Sequence, residues 1–163
     1  MVTASLDRLE DMDMFKIWHR MMMLMADLVI LYGLAMLFFG TSGLFAPIND
    51  PINATFFGTA QPPAEMLAYQ TFIYGLVGAM TVGWGLLLFF VAWKPFGNRE
   101  AWAWWAIVIS VDVWFVIDTW VALSFGAPVL VIANLPLIAL IAVPLIGSIR
   151  HVFGGSAART ATA

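Results

Sequence analysis

Four apolar stretches, at about residues 19–41, 69–93, 101–125 and 128–149, each reach the roughly 20-residue length needed to cross a hydrocarbon core. They predict an all-α fold: a polytopic membrane four-helix bundle that occupies residues 1–163 as one integral membrane domain. Composition agrees, because 63% of the residues are hydrophobic and only 10% are charged, against about 25% charged in a soluble domain. Seven basic and ten acidic side chains cannot furnish a polar shell for a soluble fold of 163 residues. Disorder requires low hydrophobicity and is excluded by the same numbers. A net charge of −3 without a basic cluster disfavours nucleic acid as a partner. The absence of cysteine removes disulfide scaffolds, thiol relays, iron–sulfur clusters and Cys-ligated zinc.

The basic residues give the expected orientation. Arg8, Lys16 and Arg20 precede the body of the first span, Lys94 and Arg99 follow the second, and Arg150 and Arg159 follow the fourth. The 42–68 loop and the turn at 126–128 carry none. The positive-inside rule therefore predicts cytoplasmic N and C termini and an outer 42–68 loop. Trp18, Trp93, Trp102, Trp104 and Trp105 cluster at the expected inner boundary, with Tyr69 and Trp120 nearer the outer one. The first 16 residues are rich in acid (Asp7, Glu10, Asp11, Asp13), unlike a cleaved signal peptide. Leu6, Leu9, Met12 and Phe15 recur on one side of 5–18, which predicts a short interfacial amphipathic helix before the first span.

In the 42–68 loop, Pro47, Pro51, Pro62 and Pro63 with Gly43 and Gly58 argue against a long helix. Phe45, Phe56 and Phe57 make it apolar enough to lie over the bundle as a lid or to rest on headgroups. It holds a short duplication, PIND–PINA, and a sequon at Asn53-Ala54-Thr55.

Three carboxyls fall inside the spans: Asp27, Asp112 and Asp118. Each costs about 2.5–3.5 kcal/mol at mid-membrane, whereas an apolar residue returns roughly 0.3–0.6. The third span is thus marginal alone and is expected to insert with a partner helix. Asp112 and Asp118 lie about 120° apart around a helix and about 9 Å along it, which rules out a carboxyl dyad. Asp27 has Arg20 two turns away as a candidate partner, though a long Arg stem more readily snorkels to phosphates. At the depth of Asp118 the other spans offer Gln70, Tyr74 and Asn134. With Trp114 and Thr119 these residues make a candidate ligand-binding pocket, or else a hydrogen-bonded network that holds the bundle together. Pro136 and Pro144 should bend the fourth span, and Ala79–Gly83 has small-xxx-small spacing suited to close helix approach, either within the chain or between subunits.

Met21, Met22, Met23 and Met25 point around the whole helix and do not converge on a copper ion. His19 and His151 sit at the inner ends of their spans, where histidines need no metal or haem to explain them. Neither cofactor nor metal is expected, and no nucleophile–base pair marks a catalytic residue.

The segments YQTFIYGLVGAMTVGWGLLLFF, NREAWAWWA and VWFVIDT within 69–128 resemble small bacterial four-span inner-membrane proteins. At fold level the chain is similar to DoxX-like and sterol-isomerase-like (EXPERA) four-helix proteins, and in the latter intramembrane acids and aromatics line a ligand cavity. The resemblance implies a multi-pass protein of the bacterial inner (plasma) membrane and carries no catalytic motif. Three functions follow as expectations: binding of a small hydrophobic or amphipathic ligand, lipid or quinone-like; an accessory role in a larger membrane complex or homo-oligomer; and proton-coupled transport along the three aspartates. Membrane lipids are the partners common to all three.

Overall fold

The computed structural model describes the backbone of residues 2–160 and the side chains of residues 12 and 14–154. Five α-helices follow in order: α1 (Val2–Phe39), α2 (Ala46–Phe57), α3 (Ala64–Val91), α4 (Ala101–Ser124) and α5 (Pro128–Thr160). A 3₁₀ turn, Gly43–Phe45, leads into α2, and a π turn, Ala92–Phe96, closes α3. No strand occurs among the described residues. Four helical segments are long and apolar enough to cross a membrane: Met14–Phe39, Ala64–Phe96, Ala101–Ser124 and Pro128–Gly154. Between 17% and 28% of the most apolar window of each is buried, so most of the apolar surface faces outward, as it must when the solvent is lipid.

The chain runs up and down. α1 packs most extensively on α3 and also on α5, α4 packs on α5, and α3 touches α4 only slightly. The core is a stripe at helical spacing, with Phe15, Met22, Met25, Ala26 and Val29 of α1 against Leu88, Ile107, Val111, Ile141 and Leu145. The methionines fill irregular space around a void of only ~10 Å³.

Two local expectations are corrected. The amphipathic segment at 5–18 is not a separate interfacial helix, because α1 continues from Val2 to Phe39 without a break. In its apolar stripe, Leu6 and Leu9 lie outside the described side chains, while Phe15 is buried and Met12 exposed. The prolines and glycines of the 42–68 loop leave room for one helix of 12 residues, α2: Pro47 occupies its first turn, where the missing N–H is unneeded, and only Pro51 lies inside. The second concerns helix approach, which within the chain does not use Ala79–Gly83. Both residues point outward, and a Cβ at Gly83 would meet nothing within 4 Å.

The crossing of α1 and α3 instead rests on two heptad-spaced glycine pairs, Gly33/Gly40 and Gly78/Gly85. A Cβ on Gly33 would stand 2.8 Å from the Gly78 carbonyl oxygen, and one on Gly78 2.6 Å from that of Gly33. Either distance lies inside van der Waals contact, so the two backbones touch directly. Gly40 receives the Tyr74 ring and Gly85 receives Ile30 in the same way.

Candidate functional site

The duplication PIND–PINA has a period of four residues, close to one helical turn. In α2 it brings Asn49 and Asn53 to one face, and both are buried. On α3, Gln70 and Tyr74 have the same spacing. The two pairs meet as two rungs: Tyr74 Oη donates to Asn49 Oδ1 at 2.5 Å, and Gln70 Nε2 donates to Asn53 Oδ1 at 3.1 Å. Each asparagine uses its amide N–H as well, Asn49 to the Gly40 carbonyl (2.8 Å) and Asn53 to the Ala60 carbonyl (3.2 Å). α2 is thereby tied to α1, to α3 and to its own exit loop. Its far end reaches the α4–α5 turn, where Phe56 stacks near Phe125 at 6.1 Å. Phe45 is buried, 6.1 Å from the ring of Tyr32.

Above the rungs opens a cleft of about 370 Å³. Thr41, Asn49, Asp50, Asn53, Gln61 and Gln70 give it hydroxyl, amide and carboxyl groups, and Leu67 and Pro62 give it an apolar side. Asp50 is the only ionisable side chain among the described residues that line it. Thr41 and Thr71, whose hydroxyls lie 3.2 Å apart, join the end of α1 to α3 beside it.

The residues expected to form one pocket fall into two groups. Gln70 and Tyr74 turn to α2. Asp118 accepts from Asn134 Nδ2 at 2.7 Å across α4 and α5. Trp114 leaves both groups and packs on Trp84, with ring centroids 5.5 Å apart. Thr119 has a buried hydroxyl with no hydrogen-bond partner among the described residues. Asp27 and Asp112 are exposed on the outward faces of α1 and α4, away from Asp118.

Asn49, Asn53 and Asp50 were absent from the pocket expected from the sequence, although the period of the duplication points to the asparagines. Burial also changes the reading of the sequon: Asn53 is 3% exposed inside a helix, with its amide already bonded.

At the opposite end, His19 Nε2 donates to the Ala92 carbonyl in the π turn at 3.0 Å. Phe15 lies between His19 (centroids 6.4 Å) and His151 (5.8 Å), with the Arg99 guanidinium 4.5 Å above its ring. The arrangement closes the core with aromatic and cation–π contacts. Compared with protein-family models, with curated proteins and with solved structures, the chain has no match in any of the three.

Proposed function

We propose that this protein is a non-enzymatic, multi-pass protein of a bacterial inner membrane that binds the polar head of a small amphipathic molecule, a lipid or a quinone. The cleft of about 370 Å³ at the α2 end carries this reading. Its volume lies in the range of small-molecule sites. A floor of buried amides, one apolar wall and an opening to the surface suit a head group whose tail stays among lipid chains. With Asp50 as its one carboxyl and no cation in the lining, the cleft suits neutral heads, or zwitterionic heads that present an ammonium, better than net-anionic ones. In this reading both termini are cytoplasmic, and the cleft opens on the outer side, following the distribution of Lys and Arg.

Thermal unfolding of the detergent-purified chain, titrated with dioctanoyl-phosphatidylethanolamine or with decylubiquinone, tests the proposal. A saturable rise in melting temperature is expected with one of the two, and the same experiment distinguishes lipid from quinone. Ala46→Phe places a ring in the cleft without touching the rungs and should abolish the rise while leaving the unliganded protein folded. No saturable response to either compound, or an unchanged response in the variant, refutes the proposal.

A further inference from the structure

The outward face of α4 presents a group that neither the core nor the cleft uses. Asp112 lies eleven residues after Ala101 and twelve before Ser124, hence about 17 Å from either end of the helix at 1.5 Å per residue. It is exposed at the centre of a membrane-length span. Its neighbours one turn away are Val108, Ile109, Phe115 and Val116, which have no side-chain donor to offer. Ile109, Val113 and Val116 are themselves exposed, at 56%, 52% and 65%. Asp118, six residues on, differs on both counts, because it is half-buried and bonded to Asn134. Carboxyls at this depth pair with other groups or face the bundle interior. Asp112 faces away from the interior.

We propose that this face of α4 docks a transmembrane helix of another protein that carries a basic side chain at the middle of its span. Charge complementarity selects the occupant. Among the described residues, a second copy of this chain has no cation at that depth: Lys16, Lys94 and Arg150 lie near the ends of their spans, and Arg99 lies between two of them. Arg20, the deepest, stands six residues into Met14–Phe39, about 9 Å from its start. A lysine or arginine at the centre of a foreign span would meet Asp112 at its own level. The surrounding surface suits helix packing, since β-branched side chains lose little rotamer freedom on contact. Exposed Trp102, Trp105 and Trp120 flank it toward the two ends.

The test uses the full chain in nanodiscs. With no native cysteine, a donor dye on Asn98→Cys is site-specific. Energy transfer is measured to two synthetic leucine–alanine transmembrane peptides, one with a central lysine and one with leucine there. The lysine peptide should bind the wild type about tenfold or more tighter than the leucine peptide. Asp112→Leu should reduce it to the level of the leucine peptide, Asp112→Glu should retain binding, and Asp27→Leu should leave it unchanged. Circular dichroism and elution volume establish that the variants fold. Equal binding of the lysine peptide to wild type and Asp112→Leu overturns the proposal, as does dependence on Asp27 instead. So does single-molecule photobleaching that finds multimers of this chain dispersed by Asp112→Leu, because the face would then belong to a second copy.

Discussion

Asn49 and Asn53 each spend a buried side-chain amide on holding α2 in place, so the two rungs are sensitive to loss of one partner. Tyr74→Phe removes the donor to Asn49 Oδ1 and leaves that oxygen buried without it. The cost of such an orphaned group is about 1–3 kcal/mol. The variant should unfold at lower temperature in detergent, and the 58–63 connection should be cut faster by protease. Asn49→Leu in the same background should recover little of the loss, because it removes that orphan but also takes the N–H donor from the Gly40 carbonyl. Trp104 gives a second residue-level test, since its indole N–H reaches the Leu145 carbonyl at 3.0 Å across α4 and α5. Trp104→Phe keeps most of the ring packing and loses that bond, at about 0.6–2 kcal/mol. A melting-temperature drop well beyond that range would show that the indole's shape matters more than its N–H.

Among the helices, the firmest association is that of α1 with α3, and it depends on an absence of side chains. Gly78→Leu forces a branched side chain into the Gly33 backbone and should lower stability by more than the roughly 1–3 kcal/mol of ordinary overpacking. Ala79→Leu, one residue away but outward, should change the melting temperature little. The pair separates helix packing from helix propensity, because propensity alone would favour Gly78→Leu over Ala79→Leu. Spacing alone favoured Ala79–Gly83 over Gly78/Gly85, since a lone helix does not announce which of its small residues face a neighbour. The N terminus of α1 is comparable. Polar residues before the span indicate where lipid begins, but nothing there breaks a helix, so the backbone runs on from Val2.

For the molecule as a whole, the up-and-down path puts α2 at the end opposite the start of α1 and the end of α5. If that end is external, Thr59→Cys in intact cells should react with a membrane-impermeant maleimide, and Asn98→Cys should react only after lysis. The reverse pattern would invert the orientation drawn from Lys and Arg. The cleft faces the same side as Thr59, so this labelling also shows which compartment its ligand enters from.

Four spans, their length and an expected orientation are properties of composition and spacing, and they are readable because lipid acts on each span almost independently of the others. The same holds for Asp112 and Asp118, whose divergence follows from the pitch of a single helix. Which polar groups meet was open to the sequence only in part. Asp118 and Asn134 share a depth and do bond. Gln70 and Tyr74 share it too, yet they turn to Asn49 and Asn53, because the preceding connection folds into a helix whose period matches theirs. Partner choice among side chains at one depth depends on how each helix is rotated about its axis. That rotation is fixed by contacts such as Gly33 on Gly78, which exist only once two helices are side by side.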